Sequence, residues 1–329
     1  MQTRFIGADG ETVSPSDTAR LQEQQVATEL TYDLSDGAKM STIVPPVGFL
    51  PQNATPETAR AFGFDVPDSP AALASWQANY QDYKETVPSV PCIGTQPLSS
   101  PMQPASSDAP LAPSAVTSSN WGGFTAHGHS NYVEVYDDQN IPTYDTTCGG
   151  EGLSLGSWIG LGGSNSPKLI QQGFASGQTA GAVNGARVWY EYLNAAHPNP
   201  PVYIGSTSRT GDVISEAMTY NAGRVTFHWY DRTIGSGWSD VTVSGLSSYY
   251  DGTTADFITE MPGEYKLRKF TPYQGFDGSG AKYGSTFANL FALPTTEVRL
   301  VNAAGTALMS SARQGSSATA FTQKWLRCS

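Results

Sequence analysis

Two stretches carry the side chains that could do chemistry. The first runs Ser157-Trp158-Ile159-Gly160-Leu161-Gly162-Gly163, then Leu169-Ile170-Gln171-Gln172-Gly173, then Val188-Trp189-Tyr190-Glu191-Tyr192. The second is Ala255-Asp256-Phe257-Ile258-Thr259-Glu260-Met261-Pro262. β-Branched and aromatic residues between Gly, Asn, Ser and Pro breaks make both read as strands. Side chains alternate along a strand, so Gln171 shares a face with Leu169 and Trp189 with Glu191. Asp256, Ile258 and Glu260 likewise share one face. A half-buried strand would ordinarily place apolar residues at such positions. A carboxylate can take and return a proton, and a carboxamide can donate hydrogen bonds without ionising. Both aimed at one sheet surface, among tryptophans, point to a polar site on a concave sheet.

The elements that must hold these residues lie mainly after Ser118. Tyr132-Val133-Glu134-Val135-Tyr136 alternates, and Asp137 to Asn140 reads as a turn. Val213–Tyr220, Asn221-Ala222-Gly223 and Arg224–Asp231 predict a hairpin with Val225, Phe227 and Trp229 on one face. Asp240–Val243, Tyr283–Phe291 and Glu297–Asn302 supply further strands. Strands at this spacing predict an all-β sandwich or barrel over residues 118–329. Residues 1–87 read instead as a small, mainly helical or irregular segment. Asp17–Leu30 is a helix candidate behind Ser14-Pro15-Ser16. Thr55-Pro56-Glu57 offers an N-cap, a proline at the first helical position and an acidic first turn, for a short helix ending at Gly63. Ala71–Thr86 predicts a longer helix, with Leu73, Trp76, Tyr80 and Tyr83 as a stripe facing the next domain. Residues 88–117 hold seven prolines and many Ser and Ala, and read as an extended linker.

Composition narrows the function. The chain has 329 residues, Gly 34, Pro 22 and 14% charged residues, which suits many short strands and tight turns. Net charge is −11, with 13 acids against 5 bases in residues 1–117 and 16 against 13 in the remainder. Attraction to nucleic acid or an anionic membrane is thereby excluded as a basis for function. No apolar run approaches the ~18–20 residues of a membrane span. Met1-Gln2-Thr3-Arg4-Phe5 lacks the apolar region of a signal peptide. Cys92, Cys148 and Cys328 allow one disulfide and one free thiol, and their spacing makes no local metal motif. His127-Gly128-His129 lacks a third ligand nearby, so no metal is expected. A Gly-x-Ser-x-Gly nucleophile elbow is absent.

The motifs carry a family resemblance. Trp158-Ile-Gly-Leu-Gly162, Leu169-Ile-Gln-Gln-Gly173, Trp189-Tyr-Glu-Tyr192 and Ala255-Asp-Phe-Ile-Thr-Glu260 occur in the order and rough spacing of glutamic peptidases of the eqolisin type, peptidase family G1. Ser119-Asn120-Trp121-Gly122-Gly123 resembles that family's opening strand. The likeness covers roughly Ser118 to Phe287. Pro45-Pro-Val-Gly-Phe49 and Ala71-Ala-Leu-Ala-Ser-Trp76 are similar to pieces that precede this region in bacterial members. The resemblance implies a concanavalin-like sandwich of two large, bent antiparallel sheets, in a secreted endopeptidase with an N-terminal propeptide. Its partners would be a polypeptide substrate and its own N-terminal segment; it would act as a monomer without a cofactor.

The same resemblance assigns roles. Peptide hydrolysis by water needs a base for the water and a donor for the tetrahedral oxyanion. The family uses a glutamate and a glutamine. Gln171 matches the glutamine, with Gln172 as the alternative if the register slips by one residue. Asp256 stands at the catalytic glutamate. It carries the same functional group one methylene shorter, so its carboxylate sits on the order of 1.3 Å back, and ~1 Å misplacements can cost ~10²-fold. Trp121, Trp158, Trp189 and Glu191 match the surround of the site, Glu191 being expected to position the acid. Glu260, about 13 Å along the strand from Asp256, is expected to hold a loop or a partner group. The family's carboxylate four residues after Trp158 is here Gly162. A catalytically silent relative that binds peptide or glycan on the same bent sheet is the alternative, and a lectin-like sandwich without protease ancestry a more remote one.

Overall fold

Strand pairing places every residue singled out above on one of two packed sheets. The computed structural model describes residues 1–16, 26–34, 36–64, 66, 70–87, 89, 91–94, 98, 100–105, 115–145, 148, 153–177, 182–262 and 266–328. The groove sheet runs, in spatial order, Pro91–Ile93, Val202–Ser208, Ala182–Leu193, Leu169–Gly177, Leu153–Gly162, Ala255–Glu260, Trp121–Ala126, Thr295–Leu300 and Ala115–Ser118. Its five central strands pair antiparallel. The backing sheet is built around Val241–Ser244, Arg224–Asp231, Val213–Asn221, Tyr132–Asn140 and Gln274–Tyr283. The predicted hairpin is present, closed by Ala222 and Gly223, both at positive φ.

Alternation sorts the two faces of the groove sheet. Leu155, Ile159, Leu161, Ile170, Phe174, Val188, Tyr190 and Phe257 point at the backing sheet, where Val135, Met218, Phe227 and Trp229 meet them, all fully buried. This inter-sheet core also carries polar groups. Ser157 Oγ donates to Gln139 Oε1 at 2.5 Å, and Gln172 Nε2 to the His228 carbonyl at 2.9 Å. Asp137 and Glu216, both buried, stand directly opposite each other on neighbouring strands. The other face of the groove sheet gathers a second cluster, including Trp121, Trp158, Leu169, Trp189, Ile258 and Leu98.

The N-terminal segment holds the two α-helices among the described residues, α1 (Pro56–Ala61) and α2 (Pro70–Tyr80), and several strands besides. Thr55 caps α1 by accepting from the Thr58 N–H. The helix expected over Asp17–Leu30 is replaced, in its second half, by the strand Val26–Asp33; residues 17–25 lie outside the described residues. That strand pairs on both sides, with Gln2–Gly7 and Lys39–Val44. Two completed ladders outweigh a helix in a stretch holding Val26, Thr28 and Thr31, all weak helix formers. The second helix stops at Tyr80 rather than Thr86, because Glu85–Val87 pairs parallel with Ser236–Trp238.

This segment is woven into the sandwich. Lys39–Val44 continues the backing sheet by pairing with Val241–Ser244. Phe49, Phe62, Phe64, Trp76, Tyr80 and Tyr83 form one buried cluster with Tyr230, the rings of Tyr83 and Tyr230 stacking at 4.2 Å. Within residues 88–117, Pro91–Ile93 and Ala115–Ser118 each add a strand to the groove sheet. Cys148 and Cys328 form a disulfide, and Cys92 is an exposed thiol. Among the described residues no helix is long and apolar enough to cross a membrane.

Candidate active site

Register brings the candidate catalytic pair into one row. Gln171 pairs with Gly160 on one side and Glu191 on the other. Gly160 pairs in turn with Asp256, and Asp256 with Thr125. Directly opposed residues project from the same face, so Glu191, Gln171, Asp256 and Thr125 line up across five strands, with Gly160 on the middle one between the amide and the acid. Strands lie ~4.8 Å apart, which sets the Gln171 and Asp256 backbones about 10 Å apart. The indole of Trp158 and the side chain of Leu169 stand over the glycine between them. A Cβ on Gly160 would sit 2.9 Å from Trp158 Cζ3, so only glycine admits the indole beside this row.

Separate partners hold each member. Gln171 Nε2 donates to Glu191 Oε2 at 2.8 Å. A carboxamide has two N–H donors, so one hydrogen fixes its orientation and the second is left for a developing oxyanion. Asp256 is fully buried; its Oδ1 accepts from Ser164 Oγ at 2.8 Å and its Oδ2 from Thr254 Oγ1 at 3.0 Å. Burial pushes the Asp256 carboxyl up to about 7, against the opposing pull of the Ser164, Thr125 and Thr254 hydroxyls; the charge of Asp251 adds to the rise. Asp251 also bears on Gly162, where the family resemblance leads one to look for a carboxylate. A Cβ built on Gly162 would lie 3.1 Å from Asp251 Oδ1. The loop before the Asp256 strand thus delivers a carboxylate to the space a side chain on Gly162 would take.

Trp158, Trp189 and Trp121 lie on this same face and are fully buried; Trp121 and Trp158 pack edge to face at 4.8 Å. Trp158 Nε1 donates to Glu260 Oε2 at 3.0 Å, and Asn120 Nδ2 donates to Glu260 Oε1 at 3.2 Å. Glu260 therefore sits away from the row, holding an indole and an amide. Burial raises its carboxyl well above the usual range, the charge of Glu191 adding to the effect. Glu191 differs from its expected part: its carboxylate orients Gln171 rather than the acid, because the two are direct neighbours in register. Gln172 faces the opposite side, into the inter-sheet core. His127 and His129 are engaged elsewhere, His127 Nε2 with Thr296 Oγ1 at 3.1 Å and His129 stacked on Tyr283. Among the described residues no group of three or more His, Cys, Asp or Glu is arranged to hold a metal ion.

The chain itself covers this face of the sheet. Leu98 N–H donates to Glu191 Oε1 at 2.9 Å, and Ser100 N–H to Glu260 Oε1 at 3.3 Å. Trp121 Nε1 and Asn120 Nδ2 donate to the Ser100 carbonyl, at 2.9 and 3.2 Å. Met102 N–H reaches the Gly163 carbonyl at 3.1 Å, and Gln103 N–H reaches Asn120 Oδ1 at 2.9 Å. Sequence reasoning missed this cover, and it missed Ser164, Thr254 and Thr125. Thr254 and Thr125 were readable as same-face neighbours of Asp256 and Trp121. Ser164 sits in a turn that brings it back over the sheet, which no local pattern signals.

A sequence match to the Peptidase A4 family spans residues 119–322. Among solved structures, scytalido-glutamic peptidase with a transition state analog inhibitor is similar at 20% identity and TM-score 0.53, covering 63% of this chain and 98% of that one. SCP-B, a member of the eqolisin family in complex with the tripeptide Ala-Ile-His, is similar at 19% identity and TM-score 0.50, with the same coverage. At these identities the likeness establishes the sandwich fold. Among curated proteins, none matches the sequence.

Proposed function

From the premise that this chain belongs to the Peptidase A4 family, we propose that it is an endopeptidase in which Asp256 activates water and Gln171 holds the oxyanion. The observation that carries this reading is the shared row: amide and carboxyl on one face, separated by a glycine, each oriented by its own partners. The ionised Asp256 takes a proton from a water as its oxygen attacks the peptide carbonyl carbon. The carbonyl oxygen becomes the oxyanion and receives the second Gln171 N–H. Asp256, now protonated, passes its proton to the leaving amine and is ionised again. Protons and charge balance without a covalent intermediate. The neighbouring structures, determined with a transition state analog and with a tripeptide, favour a peptide as the occupant of such a groove.

Two further features belong to this reading. The segment before Ser118 acts as a prosegment, and the groove opens when Leu98–Gln103 is displaced. Secretion is proposed on the family premise. Burial holds Asp256 near 7, while its three hydroxyl partners favour the charged state, so the ionised base is gained as pH rises toward that value. Cleavage is therefore expected in mildly acidic solution, rising with pH along the acid limb.

A silent relative that only binds peptide is the second reading, favoured by the missing methylene at Asp256. The test is incubation of the chain, and of a sample treated to displace the prosegment, with a denatured protein across pH 2–7, followed by mass spectrometry. Cleavage that disappears in Gln171→Ala and Asp256→Asn, and persists in Asp256→Glu, supports the peptidase. No cleavage at any pH from opened material supports the silent relative. Cleavage by Asp256→Asn as fast as by the parent removes Asp256 from the mechanism.

A further inference from the structure

The residues that close the groove also describe what it is shaped to hold. Leu98, 2% exposed, is buried in the tryptophan cluster on the groove face. Its side chain lies over Gly156: a Cβ built there would stand 3.9 Å from Leu98 Cδ2, 3.6 Å from Trp158 Cδ1 and 3.8 Å from Trp189 Cζ2. One methyl would fit there in ordinary contact, and a branched side chain would take the space the leucine occupies. The backbone around Leu98 is held by polar groups that read no side chain. Glu191 and Glu260 accept the N–H groups of Leu98 and Ser100, two residues apart, and Trp121 and Asn120 donate to the Ser100 carbonyl.

Main-chain bonds at alternate residues, with a pocket for one side chain, are the means by which extended peptides are bound for affinity and selected for sequence. We propose that the groove holds substrate chains as it holds Leu98 and Ser100–Gln103, and that the pocket over Gly156 selects a leucine-sized aliphatic residue. That residue is the one whose N–H meets Glu191. This rests on the peptidase reading for its biological use, though the binding itself does not need catalysis. Glu191 joins the pocket to the chemistry, since its second oxygen holds Gln171. The selected residue therefore lies within about two residues of the bond cut. Gly156 is a specificity-determining residue, and Glu191 serves both recognition and the positioning of the amide.

The test uses the full chain carrying Asp256→Asn, so that binding is read without cleavage. The probes are the capped peptide Leu-Ser-Ser-Pro-Met-Gln, copied from residues 98–103, and its analogue with Ala in place of Leu, titrated by calorimetry. The parent background should bind either peptide at least tenfold more weakly than chains whose own segment is loosened by Leu98→Ser or by Ser100→Pro. These opened chains should prefer the Leu peptide at least tenfold, and adding Gly156→Val should abolish that preference while binding of the Ala peptide is kept. Circular dichroism establishes that each variant is folded, and the two opening substitutions act independently. Equal affinity for the two peptides, or a preference that survives Gly156→Val, overturns the proposal. Mapping the bonds cut by opened chain with Asp256 intact separates the two readings. Cleavage without a leucine-sized preference beside the cut sinks the pocket and leaves the peptidase. Selective binding without any cleavage sinks the peptidase and leaves the pocket.

Discussion

At the scale of single residues, the acid is tuned by three hydroxyls and one carboxylate. Ser164 and Thr254 donate directly to Asp256, and both bonds favour its charged form. Removing a donor to a charged group is worth on the order of 1.5–3 kcal/mol before water compensates, and one pKa unit is ~1.4 kcal/mol. Ser164→Ala should therefore move the acid limb of kcat/KM to higher pH by roughly one unit. Asp251→Asn should move it the other way, because a negative neighbour that held the proton on Asp256 is gone. A pH–rate profile that shifts in the same direction for both variants would show that at least one of them does not act on Asp256 as described. Gly162 is bound to its identity for a local reason: its φ is +87°, and a Cβ would meet the Lys168 carbonyl at 2.4 Å. Restoring a family-like acid at 162 should cost stability, and Asp251 is the better place to study that charge.

At the scale of elements, the groove strands owe their order to alternation and the backing sheet owes part of its order to turns. The hairpin joining Val213–Asn221 to Arg224–Asp231 turns through Ala222 at φ +48° and Gly223 at φ +84°. Two positive φ values in a two-residue loop fit the primed turn that matches the strands' twist, and Asn-Gly is its preferred pair. Alanine pays for that conformation, and asparagine visits it more readily. Ala222→Asn should recover part of the ~1–2 kcal/mol that an L residue loses in this conformation, read as a higher urea midpoint with an unchanged m-value. A lower midpoint would mean that the Ala222 methyl makes a contact worth more than the backbone preference. The groove strands respond differently. Gly160→Ala should lower stability by ~1–3 kcal/mol, read as a lower urea midpoint, because its methyl meets Trp158 at 2.9 Å in a packed layer.

At the scale of the whole molecule, several carboxyl groups lie buried in the two sheets. Burial raises Asp137, Glu216 and Glu260 well above the usual range, Asp231 to about 6 and Asp256 to about 7. The charges of Asp138 and Asp137 add to the rise at Asp137 and Glu216. A carboxyl whose folded pKa lies above its unfolded one binds its proton more tightly when folded. Its contribution to stability is complete below an unfolded value of ~4 and is lost as pH climbs through the folded value. The window is about 4 to 6 for Asp231 and about 4 to 7 for Asp256, at up to ~1.4 kcal/mol per pH unit for each group. The Tm should fall steadily from pH 4 to pH 8, and Glu216→Gln should flatten the slope. A Tm that rises over this range would refute the assignment of these carboxyls as protonated in the fold. The N-terminal strands act at the same scale. Lys39–Val44 completes the edge of Val241–Ser244, and Tyr83 stacks on Tyr230. A chain cut near its linker should therefore keep residues 1–87 bound, co-eluting on gel filtration without denaturant. A freely released N-terminal piece would show that the shared sheet contributes little.

The amino-acid sequence by itself determined the five motifs and the faces of their strands, whereas Asp137–Asn140, which reads as a turn, continues the strand Tyr132–Asn140 because it pairs with Val213–Glu216. It therefore determined that Gln171, Glu191, Asp256 and Glu260 could face one surface with Trp158 and Trp189. Period-two alternation is local, so it survives without knowledge of partners. The sequence could not say which strands are neighbours, and that decided the rest. Pairing across Gly160 put the amide and the acid in one row, and pairing next to Gln171 turned Glu191 toward the amide. Ladders on both sides turned Val26–Asp33 into a strand where local propensity reads helix. A linker that reads as spacer lies across this face, its backbone N–H groups at Leu98 and Ser100 donating to Glu191 and Glu260. These are hydrogen bonds between residues 93 and 160 positions apart. No sequence window contains both partners, and only the tertiary fold brings them within reach.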